Sequence, residues 1–237
     1  MSTNDNSRQT DRRKFLGSIA TGAAALGIST VAAPLQTFAG NNLPPMDDGG
    51  VEDAVAWMNK IKGTHKVVFD ATQPHGVFPF AWPRVFLLTN GAVGVPEKDC
   101  GVMVVLRHDA IPYAMDSALW TKYNFGEVFH APDPTTNEEK AKKNPFWKPA
   151  PGTFKFPGIG EVQIGINELQ QAGVMFCVCN AAITVYSAAV AQGMGKDAAE
   201  VKKDWEAGLL PGIQIVPSGV WALGRAQQKG CAYIFAG

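Results

Sequence analysis

Gly173-Val-Met-Phe-Cys-Val-Cys-Asn-Ala-Ala-Ile-Thr-Val-Tyr186 is an apolar run that carries two of the chain's four cysteines and turns polar at Asn180. Residues 174–179 have strand length and no polar alternation, the pattern of a parallel strand covered on both faces. Gly173 closes the segment before it, and Asn180 can cap a helix that stays apolar almost all round to residue 191. A strand running directly into a helix is one step of an α/β sheet. In open sheets of this kind, ligands and chemistry collect outside the carboxyl ends of the strands, which is where this reading puts Cys179.

The flanking sequence repeats the step. Residues 66–69 and 102–106 read as the first two strands, 213–216 as the fourth and 231–235 as the last, with helices expected over 84–89, 114–126, 167–172, 196–207 and 220–229. Alternating strands and helices of this length predict a three-layer, doubly wound α/β fold with a mostly parallel five-stranded sheet, Rossmann- or flavodoxin-like. Val51, Val55 and Met58 mark one face of a short helix ahead of the first strand, expected on the outside of the domain. The stretch 126–160 is dense in proline, lysine and aromatics, including Pro145-Phe-Trp-Lys-Pro149, and is too long for an ordinary connection. It reads as a lid, an oligomer contact or a mobile loop, with Phe146, Trp147, Phe154 and Phe156 arguing that something buries it.

Residues 173–183, with Leu209-Leu-Pro-Gly-Ile-Gln-Ile-Val216 and Ala222-Leu-Gly-Arg-Ala-Gln-Gln-Lys-Gly-Cys-Ala-Tyr-Ile234, resemble the DsrE/DsrF-like family of small sulfur-relay proteins. Lys66-Val-Val-Phe-Asp70 resembles that family's first strand, and Gly101-Val-Met-Val-Val-Leu-Arg-His108 with residues 114–126 its second strand and helix. The resemblance spans residues 63–237 and is a pattern of apolar strands and glycines, more specific for fold than for activity. It implies a three-layer α/β fold, homo-oligomers, and a cysteine that carries sulfur as a persulfide. Cys179 is the position that matches that cysteine.

The amino-terminal 39 residues read as a leader. Asp11-Arg-Arg-Lys-Phe-Leu16 resembles the twin-arginine signal, residues 17–33 are weakly hydrophobic and rich in Ala and Gly, and Thr37-Phe-Ala39 offers small residues for cleavage. The apolar stretch is interrupted by Pro34 and rich in small residues, so no stable membrane span is expected, and the localisation implied is periplasmic. Residues 40–62 then form a linker and the short helix, and 63–237 the α/β domain. Twenty-one basic against 21 acidic residues leave no net field to attract nucleic acid or an anionic membrane.

Export bears on the cysteines, because a periplasm oxidises exposed thiols. Cys177 and Cys179 share a strand face, but a bridge between them would close a small, strained ring. Their spacing matches neither a thioredoxin-like Cys-x-x-Cys nor paired zinc motifs. Cys100 and Cys231, at strand starts, belong at the opposite edge and read as buried structural thiols.

The chain lacks a Gly-x-Gly-x-x-Gly after its first strand, a phosphate-loop Gly-Lys-Ser/Thr, a His-Glu-x-x-His and a Gly-x-Ser-x-Gly. What remains is a group of residues predicted at one sheet edge: His75, His108, Asp109, Cys179 and Ser218, from loops after four strands. Cys179 is the candidate nucleophile, its thiolate favoured by the amino end of the following helix and assisted by His108. His75, Asp109 and Ser218 are candidate ligand contacts. Three functions fit: a sulfur relay or sulfurtransferase exchanging sulfur with a donor or acceptor protein or a small sulfur compound; a small-molecule or metal-binding module using Cys179 with the two histidines; and a structural oligomer without a site. No metal or cofactor is expected under the first.

Overall fold

A computed structural model describes residues 48–237. The leader and the first part of the linker lie outside the described residues. The described chain divides into a main α/β unit, residues 48–184 and 204–237, and a helical unit to which residues 185–203 belong.

The elements run α1 (Asp48–Met58), β1 (His65–Ala71), α2 (Phe78–Ala92), β2 (Cys100–Leu106), a 3-10 turn (His108–Ala114), α3 (Ser117–Tyr123) and α4 (Phe125–Val128). After these come a two-stranded ribbon of β3 (Lys155–Phe156) and β4 (Gly160–Glu161), then α5 (Ile166–Gln171). Last are β5 (Met175–Cys179), α6 (Asn180–Met194), α7 (Ala198–Ala207), β6 (Ile213–Val216), α8 (Gly219–Gln228) and β7 (Ala232–Phe235). Five strands form one sheet in the order β6-β5-β2-β1-β7, and every pairing is parallel. The expected doubly wound α/β fold is therefore present, as a wholly parallel sheet with helices on both sides.

Parallel strands need both faces covered, and the two faces are filled differently. On one, Val68, Met103, Val105 and Cys177 pack with Ala54, Trp57, Met58 and Ile61 of the α1 segment and with Ala222, Leu223 and Ala226 of α8. On the other, Phe80 meets Tyr113, Phe146 and Phe176 with ring centroids 5.3, 4.2 and 6.4 Å apart. Burying aromatic side chains in such numbers supplies a large apolar contribution.

Three local expectations are corrected here. The buried face of α1 is Ala54, Trp57, Met58 and Ile61, at the i, i+3, i+4, i+7 spacing, while Val55 faces solvent, so this helix belongs to the core rather than to the outside. Helix α2 runs from Phe78 through Pro79 and Pro83 to Ala92, far beyond the expected 84–89. Pro79 falls in its first turn, where a missing N–H costs little, and Pro83 is accommodated within the helix. The stretch 126–160 packs within its own unit. Phe146 stacks on Phe154 at 5.4 Å, and the Asn144 side chain donates to the Tyr113 and Met115 carbonyls at 2.9 Å each, so this domain itself buries the aromatics.

Candidate functional site

The carboxyl edge of the sheet holds one buried charge. Asp70 lies near the end of β1 on the α8 side and is 1 % exposed. Arg107, one residue past β2, donates to both of its oxygens, Nε to Oδ1 at 2.7 Å and Nη2 to Oδ2 at 2.9 Å. The Tyr233 hydroxyl of β7 donates to Oδ2 at 2.8 Å. A buried carboxylate is tolerated only when paired and hydrogen-bonded in this way. The hydrogen bond to Asp70 raises the Arg107 pKa further, and burial, followed by the bond to Asp70, pushes the Tyr233 hydroxyl up.

Arg107 is held on its other side by the start of α8. A Cβ placed on Gly219 would lie 2.6 Å from the Arg107 Cβ and 2.7 Å from its Cδ, so the helix can approach only because residue 219 has no side chain. Ser218 caps this helix, its hydroxyl accepting from the Trp221 N–H at 3.2 Å. The candidate ligand contact at Ser218 is thus occupied as a helix cap.

Cys179 is the last residue of β5 and is 6 % exposed. Its sulfur accepts the backbone N–H of Ala182 at 3.3 Å, in the first turn of α6, where N–H groups have no partner within the helix. Pro217 fixes the same turn by accepting from the Ala181 N–H at 3.2 Å. Attraction to the Cys179 sulfur is the smallest of the effects that raise the Arg107 pKa. The Cys179 sulfur thus sits at a helix amino end, at the carboxyl edge of the sheet.

Burial acts on the other three cysteines. Burial pushes the Cys177 thiol far up, and Cys179 raises it further. Burial also raises Cys100, with Asp99 and Glu97 adding to the effect, and burial raises Cys231 against the opposing effect of Lys66 and Lys229. All four cysteines are unpaired. As expected, Cys100 and Cys231 lie at the amino ends of their strands and Cys177 lies deeper than Cys179, but of the two thiols read as buried only Cys231 is; Cys100 is half-buried.

The two histidines take other partners. His108 adopts a left-handed backbone at φ 51°, rare for a residue with a side chain, and its Nδ1 lies 3.2 Å from Asp109 Oδ2. That hydrogen bond raises the His108 pKa, against an opposing effect of burial. The Asp109 N–H then bonds the Thr72 carbonyl at 2.9 Å, tying this turn to the loop after β1. The His75 ring packs on Phe78, centroids 5.1 Å apart, and against Gly237. The predicted residues do share the carboxyl edge, each at or after the end of a parallel strand. Among the described residues no group of three or more His, Cys, Asp or Glu side chains is arranged to hold a metal ion.

Asp70, Arg107 and Tyr233 escaped the sequence reading as a set. A signal was present: Asp70 ends the apolar run of β1, and Arg107 follows that of the adjacent strand, so two opposite charges stand at neighbouring strand ends.

A cavity of about 710 Å³ opens at the other, amino edge, lined by Trp57, Lys60, Lys62, Lys98, Cys100 and Met175 among others. Its size suits a small molecule, but it lies away from Cys179. No helix among the described residues is long and apolar enough to cross a membrane. No protein-family model, curated protein or solved structure matches the chain. Fold and site together define a parallel α/β protein whose carboxyl edge carries a cysteine at a helix start and a buried carboxylate, Asp70, held by Arg107 and Tyr233.

Proposed function

We propose that the protein is an exported, DsrE/DsrF-like sulfur carrier that binds or relays sulfane sulfur as a persulfide on Cys179. One observation carries this reading: Cys179 ends its strand at the carboxyl edge and accepts a first-turn N–H of α6 on its sulfur, whereas burial raises the thiol pKa of the other three. In the step proposed, the Cys179 thiolate attacks the outer sulfur of a persulfide or polysulfide. The donor's S–S bond breaks, the donor leaves as a thiolate, and Cys179 holds the transferred sulfur. An acceptor thiolate attacks that outer sulfur in turn and releases Cys179. Arg107 stabilises the sulfur anion at both stages, and the low exposure of Cys179 favours a small donor.

The test is the mass of single Cys→Ser variants after brief treatment with a polysulfide donor, the labelled residue being mapped by peptide. One added sulfur, lost only in Cys179→Ser, is expected. An added sulfur that survives Cys179→Ser moves the site, and no added sulfur in any variant leaves a ligand-binding or structural role.

The export part of the proposal rests on the arginine pair at residues 12 and 13. Replacing both by Lys is expected to stop export, and the exported chain is expected to begin near Gly40. Unchanged export, or a mature mass that retains the first 39 residues, refutes it.

A further inference from the structure

The amino edge of the sheet carries a feature that the carboxyl-edge chemistry does not use. The cavity of about 710 Å³ lies across the amino ends of the neighbouring strands β2, β5 and β6, between the turn after α1, the turn at Glu97–Asp99 and the end of α5. Small-molecule sites typically have volumes of about 300–1,000 Å³.

The inner wall is apolar. Trp57 and Ile61 are each 8 % exposed, and Met175 packs half-buried against the same cluster. Gly173, just past α5, has φ 84°, and a Cβ built on it would meet nothing within 4 Å, so no side chain fills the cavity from that corner. The outer wall is basic. Three lysines, Lys60, Lys62 and Lys98, against one acid, Glu97, leave an excess of two positive charges. Elsewhere Lys122, Lys140 and Lys142 pair with carboxylates, and Lys66 donates to the Lys229 carbonyl. The ammonium groups of Lys60, Lys62 and Lys98 have no hydrogen-bond or ion-pair partner among the described residues. Lys60 and Lys62 follow α1 without donating to its free carbonyls, the ordinary role of a cation at a helix carboxyl end.

We propose that this cavity binds a small organic phosphate, its apolar body against Trp57, Ile61 and Met175 and its dianionic head at the lysines. A phosphate monoester matches the excess charge, and lysine meets it as a point charge. The binding is non-covalent. Cys100 lines the cavity, but burial, with Asp99 and Glu97 adding to it, raises its pKa and leaves it the thiol.

Titration of the full chain with naphthyl phosphate, followed on backbone amides by NMR, is the test. Saturable shifts are expected at Gly101, Gly173 and Gly212, with a Kd of about 1 mM or below that weakens as salt is raised. Naphthol, which keeps the body, inorganic phosphate, which keeps the charge, and naphthoate, which carries a single charge, should each bind about tenfold more weakly or worse. Lys60→Ala with Lys98→Ala should cost about tenfold in affinity. Ala172→Phe, which places a ring in the cavity, should abolish binding, with circular dichroism unchanged in both variants. Naphthyl phosphate should slow alkylation of Cys100 and leave Cys179, at the other edge, unaffected. Cys179→Ser should bind as the wild type does, which separates this result from the fate of the sulfur proposal. No saturable shift, shifts confined to the carboxyl edge, full affinity in the double variant, or equal binding of naphthol, inorganic phosphate or naphthoate overturns the assignment.

Discussion

Cys177 and Cys179 are two residues apart on the same face of the same strand, yet they are chemically different groups. Cys177 lies among Val68, Met103, Val105 and the α8 side chains, where nothing stabilises a thiolate. Cys179 stands where the strand ends, and there the backbone stops pairing with neighbouring strands and begins a helix. One N–H that the helix leaves unpartnered, that of Ala182, is directed at its sulfur, and the neighbouring strand is followed by the arginine that holds Asp70. One strand thus carries a core thiol and a candidate nucleophile, and the distinction is made by where the strand stops.

The comparison can be broken most severely at its cation. Arg107→Met leaves Asp70 buried with only the Tyr233 hydroxyl on its carboxylate, and a loss of about 3 kcal/mol in unfolding free energy is expected from urea denaturation. Cys179 should at the same time become slower to alkylate near neutral pH. A stability loss under about 1 kcal/mol would show that water or another group satisfies Asp70.

Gly219→Ala attacks the same cation from the helix side. The added methyl meets the Arg107 side chain at sub-contact distance, so a cost of about 2 kcal/mol is expected, with slower labelling of Cys179 and no change at Cys177. An unaltered denaturation midpoint would mean that α8 shifts freely.

Ala182→Pro sharpens the comparison by removing only the N–H on the sulfur. Ala182 is in the first turn of α6, where proline is tolerated, and a fall of about tenfold in Cys179 alkylation rate near neutral pH is expected, equivalent to about 1.4 kcal/mol. Unchanged reactivity would assign the activation to Arg107 alone.

The smallest effect concerns His108. Its folded-state pKa is raised by Asp109, so the protonated ring adds stability that is fully present below the unfolded value near 6.5 and is lost as pH rises through the folded value. Asp109→Asn should lower the His108 pKa in an NMR titration and flatten the pH dependence of stability over that window. Cys179 labelling should stay unchanged. A parallel drop in Cys179 reactivity would restore His108 as its assistant.

The parts legible in the sequence were those with local causes. Strand β6 was found to the residue, and β5 to within one, because continuous apolar runs are bounded there by Gly212, Pro217 and Gly173. Helix α2 was cut short because Pro79 and Pro83 read as loop signals, although prolines near a helix start can stay helical. In α1, Val55 was preferred to Trp57 because a three-residue pattern fits two overlapping faces, and only the packing partner decides between them. The position of Cys179 followed from its strand end. Its partner did not, since the Asp70–Arg107 contact joins residues 37 apart and depends on which strands are neighbours. Likewise the stretch 126–160 declared that its aromatics needed burial but not that Phe80 and Tyr113 would provide it.

The pairing of β1 with β7 also bears on how fast the chain can fold. The contact between Asp70 and Tyr233 spans 163 residues, and Thr72 reaches Gly237 across 165. Until that loop closes, β1 has β2 on one side and an open ladder on the other. Closing so long a loop costs conformational entropy before any contact rewards it, which places the chain among slow folders, in the millisecond-to-second range or beyond, with a hydrophobic strand edge waiting throughout. If the proposed export holds, an exporter that accepts only finished folds has to wait for β7 to dock.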